Sequence, residues 1–324
     1  MALQNRYSIL GIDRVTFAVA DLAEARRFIV DWGLVVVDEP TGDGFLARSR
    51  DGSEVAVVAA DPTQSGRSVV GGDPSGAVSF TWGVSDPAEL SRLAEDLGRD
   101  REVRWEDGEL HSTDDLGFGL VFRPTRRHQP VYEPTRYNSP GRPDRLDRRA
   151  ARYEAGQPFE ISHAAIGVDD AAAAARFYVD RLGFIVSDRY ADRGIFLRAA
   201  PVGNHHHLFM MSAAAAGTRL NHLAFKVRDV HEVIGGGQKL DERGWKTFAG
   251  PGRHMVSSAC FWYFQTPLGS HFEYAADEDV VTEDWPVTDF AAQAHIFSEW
   301  TFGLEKSDGT LRGPIAHSKT QKLD

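Results

Sequence analysis

The chain has 324 residues and a formal net charge of −11, with 36 Lys and Arg against 47 Asp and Glu. Its 42% hydrophobic and 26% charged residues are an ordinary globular composition, and the acidic balance excludes a general nucleic-acid binder, which needs a basic face. The one cysteine, Cys260, excludes an intrachain disulfide, and no apolar run approaches the ~20 residues of a membrane-spanning helix. The first residues, MALQNRYSILGID, lack the basic and apolar regions of a signal peptide, so a cytoplasmic protein is expected. The length suits about two domains of ~150 residues each.

The first element, Ile12 to Val19, is β-branched and aromatic and reads as a strand. Asp21 follows at a helix N-cap position, with Glu24 at capping-box spacing. Leu22, Ala25, Phe28 and Ile29 recur at helical period up to Gly33, which fits a C-terminal cap. Strands are expected at Leu34–Val37, Phe45–Ala47 and Val55–Ala59. A second unit, AVSFTWGVSDPAELSRLAEDLG from Ala77, repeats strand, Asp, amphipathic helix and Gly. Strands around Arg101–Trp105 and Gly119–Phe122 complete it. The stretch that follows is rich in Pro, Arg and Asp, has no apolar period, and reads as a solvated connection.

Phe159 opens a third unit that can be laid over the first: ISHAAIGVDD matches IDRVTFAVAD, and RFYVDRLGFIVSD matches RFIVDWGLVVVDE. Strands are expected at Ile195–Ala199 and His206–Met211. The fourth unit, from Leu220, matches the second: LNHLAFKVRD against AVSFTWGVSD, and TPLGSHFEY against DDLGFGLVF. The chain is therefore read as α+β: four βαβββ units in two pairs, each pair forming a curved mixed sheet around a cleft. The expected division is 1–125 for an N-terminal module, 126–157 for the connection, 158–290 for a C-terminal catalytic module, and 291–324 for a tail. The tail's aromatics could cover the site or an oligomer contact.

Three residues in the second pair carry chemistry. His163, His222 and Glu273 lie on three separate predicted strands, and two imidazoles with one carboxylate make a metal site with open positions. The repeat supplies a control: the corresponding residues of the first half are Arg14, Ser79 and Val121. A lone strand histidine is more often structural than a ligand. The joint replacement of all three argues that the second half holds a metal and the first half is scaffold.

The stretch GPGRHMVSSACFWYFQTPLGSHFEY, residues 250–274, carries Gly252, His254, the pair Trp262 and Tyr263, then Pro267, Gly269 and Glu273. In these motifs and in module order, the chain resembles the type I extradiol ring-cleaving dioxygenases (catechol 2,3-dioxygenase-like) of the vicinal oxygen chelate superfamily. The resemblance implies His163, His222 and Glu273 as ligands of Fe(II), with Mn(II) the occasional alternative. It implies catalytic roles for His254, Tyr263 and a histidine of NHHHLFMM. His206 fits that last place, with Leu208 and Met210 at period two, whereas His207 faces the other way and His205 shifts the register. Ala165, Phe196 and His207 are expected at the substrate. Thr266 departs from the family pattern, which has an acidic residue or Asn before the Pro-x-Gly turn. MVSSA departs likewise, where many members have Asn or Asp. The implied reaction is cleavage of a catechol beside its two hydroxyls with insertion of both atoms of O2, in aromatic compound degradation, by a homo-oligomer. The competing readings are a metal-dependent glyoxalase-like isomerase or lyase, and a non-catalytic small-molecule-binding protein on the same scaffold.

Overall fold

The computed structural model describes residues 7–37, 44–61, 73–133, 135–191, 193–212, 217–291 and 298–302. In the N-terminal half the strands are β1 (Ile9–Val19), β2 (Val35–Val37), β3 (Gly44–Arg48), β4 (Glu54–Ala59), β5 (Gly76–Val84), β6 (Arg104–Glu106), β7 (Glu109–Thr113) and β8 (Gly119–Pro124). Helix α1 (Leu22–Trp32) lies between β1 and β2, and α2 (Ala88–Leu97) between β5 and β6. In the C-terminal half they are β9 (Glu160–Val168), β10 (Ile185–Tyr190), β11 (Gly194–Arg198), β12 (Leu208–Ser212), β13 (Arg219–Lys226), β14 (Thr247–Arg253), β15 (Cys260–Gln265) and β16 (His271–Ala276). Helix α3 (Ala171–Arg176) runs into a π-helical turn, Phe177–Arg181, and α4 is Val230–Glu242.

The first sheet has the order β2-β3-β4-β1-β5-β8-β7-β6 and the second the order β10-β11-β12-β9-β13-β16-β15-β14. The two orders are the same unit for unit, as the repeat predicts. The second sheet gains an edge strand at each end: Thr288–Phe290 beside β10 and Trp300–Thr301 beside β14. In each sheet the two units join through their first strands, which run antiparallel. Strand β7 is an element that the sequence reading lacks. It is a short hairpin partner of β6, and its Leu110 alone is buried among partly exposed neighbours, so no periodic signal marks it. The connection is largely exposed and forms only the small hairpin of Asn138–Ser139 with Arg142–Pro143. Most of the expected tail, 292–297 and 303–324, lies outside the described residues. No helix among the described residues is long and apolar enough to cross a membrane.

Local chemistry explains the helix limits. Asp21 caps α1 by accepting from the backbone N–H of Ala23 and Glu24, and Gly33 ends it in the left-handed conformation at φ 95°. A Cβ on Gly33 would lie 2.0 Å from the Gly156 carbonyl oxygen, so glycine is required there twice over.

The halves exchange helices. Helix α1 belongs to the first unit, yet its Trp32 stacks on Tyr274 of β16 at 3.9 Å between centroids. The Tyr274 hydroxyl also donates to the Trp32 carbonyl at 2.6 Å. Phe28 of α1 meets Phe272 and Trp245 edge-on. In return, Tyr178 of the π-helical turn packs on Trp82 of β5 and donates to Asp114 at 2.6 Å. The first sheet thus anchors β16, a central strand of the second. Replacing Trp32 by Ala removes a fully buried side chain at this junction. It is expected to cost about 3–5 kcal/mol in denaturant unfolding, with Trp32→Phe costing less.

Candidate metal and substrate site

Strand register brings the second half's polar residues together. Across the sheet, His163 of β9 lies opposite Ala224 of β13, Ala224 beside Glu273 of β16, and Glu273 opposite Tyr263 of β15. His222 sits two residues before Ala224 and so shares its face. Alanine in the middle of this row leaves space in which the flanking side chains meet. The matching row in the first sheet is Arg14, Thr81, Val121 and His111, with Ser79 at the place of His222. There Arg14 is spent on Glu54, at 2.7 Å.

His163 Nε2 lies 3.2 Å from His222 Nε2. Glu273 Oε2 is 3.3 Å from the former and 3.4 Å from the latter. The donor atoms of the three residues all lie within 4.8 Å of one another. Glu273 is fully buried, and neither of its carboxylate oxygens has a hydrogen-bond partner.

Each histidine is turned by its other nitrogen. His222 Nδ1 is 3.0 Å from Asn221 Oδ1, an atom that can only accept, so Nδ1 carries the proton and Nε2 the lone pair. His163 Nδ1 is 3.2 Å from Ser162 Oγ, whose own hydrogen goes to Glu278 Oε2 at 3.1 Å. The same logic leaves His163 Nε2 unprotonated. Burial pushes His222 down to about 3, despite the neighbouring Glu273.

The cavity at this site has a volume of about 340 Å³. His163 and His222 lie in its wall together with His206, His254 and Tyr263. His206 stacks obliquely on His163 at 4.0 Å between centroids. Burial, and then the neighbouring imidazoles, hold it well below its ordinary pKa, so the ring is neutral. His254 Nε2 is 2.9 Å from the Tyr263 hydroxyl and 3.5 Å from Glu273 Oε1. Burial, and then the charge of Glu273, push the Tyr263 phenol well above its ordinary value, so it stays a neutral hydroxyl.

Of the residues expected at the substrate, Phe196 is in the wall, and Ala165 and His207 are not. Ala165 is fully buried on β9, beside His222. His207 turns toward the first half: its Nδ1 accepts from the Ala199 backbone at 3.1 Å, and its ring borders Gly11 of β1. His205 is fully buried against Asp188, away from the wall. Sequence reasoning missed the apolar remainder of the wall: Phe209, Met211, Phe248 and Val256. Phe209 and Met211 carry a period-two signal in β12, but on the face opposite to the one read from Leu208 and Met210. Glu278, 1% exposed and just past β16, was also missed, because nothing local distinguishes it from its acidic neighbours Asp277 and Asp279. The departure at Thr266 is absorbed locally: its hydroxyl accepts from Leu268 N–H and donates to the Ser270 carbonyl, closing the turn before β16.

The chain is similar to metapyrocatechase 2 of Cupriavidus necator, with 29% identity over 307 residues, 92% of this chain and 91% of that protein. Among solved structures it superposes on the Mn(II)-bound glyoxalase from Novosphingobium aromaticivorans with a TM-score of 0.72 at 20% identity, covering 95% of this chain and 93% of that one. It superposes on homoprotocatechuate 2,3-dioxygenase from Arthrobacter globiformis with a TM-score of 0.68 at 19% identity, covering 95% and 96%. Residues 160–274, which include His163, His222, His254, Tyr263 and Glu273, match the family model of the Glyoxalase/Bleomycin resistance protein/Dioxygenase superfamily.

Proposed function

We propose that the protein is a non-haem Fe(II)-dependent extradiol dioxygenase, which opens a catechol ring beside its two hydroxyls and inserts both atoms of O2. The observation that carries this reading is the meeting of two lone-pair imidazole nitrogens, on residues of the cavity wall, with an orphaned buried carboxylate beside them. A buried carboxylate with no hydrogen bond is costly unless a cation compensates it. Two neutral imidazoles and one carboxylate are the donor set of a non-haem Fe(II) centre, so His163, His222 and Glu273 would hold the metal. Similarity to a metapyrocatechase along nearly the whole chain supports the substrate class.

A bound ferrous ion supplies Lewis acidity toward the two hydroxyls and a common place for ring and O2. The remaining work falls to the chain. His206 is the acid/base: as a neutral imidazole it accepts a proton from a substrate hydroxyl and returns it to oxygen later in the cycle. His254 and Tyr263, already hydrogen-bonded to each other, hold a substrate oxygen, the phenol as a neutral donor. The apolar wall excludes water and takes the rest of the substrate. A cavity of about 150 Å³ holds one benzene ring, so 340 Å³ leaves room for a substituent. Phe196, Phe209, Met211, Phe248 and Val256 make that room apolar. The preferred substrate is therefore a catechol with an alkyl or aryl group.

The test is anaerobic purification, addition of Fe(II) or Mn(II), and assay with substituted catechols for a yellow ring-opened product. O2 uptake should equal substrate consumption, and turnover that proceeds without O2 would assign the site to an isomerase or lyase instead. His163→Ala and Glu273→Gln are expected to abolish stoichiometric metal binding and turnover together, as read by metal analysis and O2 uptake. Full activity in either would remove these residues from the metal site. His206→Asn should retain the metal and lose about 10²–10⁴-fold in kcat. Met211→Ala should raise KM for aryl-substituted catechols about 10-fold, the equivalent of about 1.5 kcal/mol of lost apolar burial. Its effect on unsubstituted catechol should be much smaller.

A further inference from the structure

Behind the cavity wall, His206 is held by groups that the reaction proposed above does not use. Its Nδ1 lies 3.3 Å from Glu278 Oε1 and 3.1 Å from His205 Nδ1. His205 is in turn fixed from its far side, with Nε2 at 2.6 Å from Asp188 Oδ2. All four side chains are buried. We propose that Glu278 and the Asp188–His205 pair are positioning residues that lock His206 in a single tautomer, with its proton on Nδ1 and its lone pair on Nε2, the nitrogen left for the cavity.

Two contacts of His206 Nδ1 favour the same tautomer. Asp188 only accepts, so His205 Nε2 carries a proton, and in a neutral ring His205 Nδ1 is then a lone pair. A lone pair 3.1 Å from His206 Nδ1 requires the hydrogen to be on His206. Glu278 makes the same demand separately. Its Oε2 is occupied by two donors, Ser162 Oγ at 3.1 Å and Lys226 Nζ at 3.2 Å. Its Oε1 is a buried acceptor with no hydrogen-bond partner, 3.3 Å from His206 Nδ1. A proton on His206 Nδ1 would face it. The assignment rests on the reading of His206 as acid/base for its consequence: the ring starts the cycle able to take a proton at the cavity, not to give one. A freely exchanging ring would spend part of its time with Nε2 already protonated and unable to act as the base.

Neutral amides at these carboxylates reverse the demand. In Glu278→Gln the carbonyl oxygen remains with Ser162 and Lys226, and the NH2 group turns toward His206 Nδ1. In Asp188→Asn the carbonyl remains with the Thr288 backbone N–H, which now bonds Asp188 Oδ1 at 2.6 Å, and the NH2 group faces His205. Nitrogen-15 NMR of histidine-labelled, metal-free full-length protein reads the tautomer directly, the His206 signals being those lost in His206→Asn. The wild type is expected to show Nδ1 protonated and Nε2 bare, and both amide variants to move population to the Nε2–H form. With Fe(II) restored, each variant should lose about 10–100-fold in kcat, the range for groups that orient a working imidazole. KM and metal stoichiometry should be unchanged. A merely structural role would instead lower metal content or raise KM with no change of tautomer. A protonated Nε2 in the wild type, or an unaltered tautomer in both variants, would overturn the proposal. If the tautomers behave as stated but the wild type opens no catechol, the reading of the reaction fails and the assignment of the positioning residues stands.

Discussion

The structure of the second half turns on one unfavourable act: the complete burial of the Glu273 carboxylate without a hydrogen bond to either oxygen. An ionised carboxylate moved from water to the interior costs several kcal/mol even after relaxation, and its usual compensation is a donor or a cation. Here the nearest groups are imidazole nitrogens at 3.3–3.5 Å, and two of them, on His163 and His222, are turned lone pair first by Asn221 and Ser162. Lone pairs facing a carboxylate repel it. The arrangement is coherent only with a positive charge among the three, which is why the neighbouring residues bear on the reading as much as the three donors do. Asn221 and Ser162 would be indifferent choices in a packing cluster, whereas at a metal they decide which nitrogen can bind.

The rest of the fold supplies the stiffness that such a site needs. Glu273 lies in the middle of a central strand, and the residues on either side of it, Phe272 and Tyr274, point to the opposite face, where α1 of the first half covers them. The first module therefore has a physical role although its own matching row is Arg14, Thr81, Val121 and His111. That row shows how the same scaffold behaves without the two imidazoles and the carboxylate. Arg14 reaches Glu54, which also receives the buried Arg123, and Arg123 in turn contacts Asp13. Charges inside the first sheet are matched within the protein, and Glu54 has three guanidinium partners, Arg14, Arg48 and Arg123, where Glu273 has none. The contrast between two equivalent sheets says more than either sheet alone: burial of a carboxylate is ordinary here when arginine accompanies it.

The duplication was legible because it depends on order and period, which survive in a single sequence. Unit boundaries, the Asp21 and Gly33 caps, and the grouping of the units into two pairs follow from local chemistry and internal comparison, whereas the joining of the units through their first strands came only with the structure. The register that sets His163, Ala224, Glu273 and Tyr263 in one row was legible only in part. The register shifts between Ile161 and His163 and between Ala165 and Ile166 interrupt simple alternation along β9. Between them the register is regular, and Ala165, two residues from His163, pairs with His222 and is fully buried. The substrate wall was the least legible. Phe209, Met211, Phe248 and Val256 come from loops and from the less buried face of their strands, and in sequence an apolar residue on a cavity wall looks the same as one in the core.

The three consecutive histidines show the limit most sharply. Residue types and spacing favour one of them, but the reason lies in what surrounds each ring. His205 is bound by Asp188 from β10, His207 by the backbone at Ala199 beside Gly11 of β1, and His206 faces Glu278 from beyond β16. The segment precedes β12, so alternation does not govern it, and three imidazoles in a row point to three different parts of the molecule. Only the middle ring has a wall position together with a proton acceptor at its back. Two rings that an alignment of types would call redundant thus do separate work. His207 ties the segment to the first module, and His205 transmits the demand of Asp188 to the one ring that reaches the cavity.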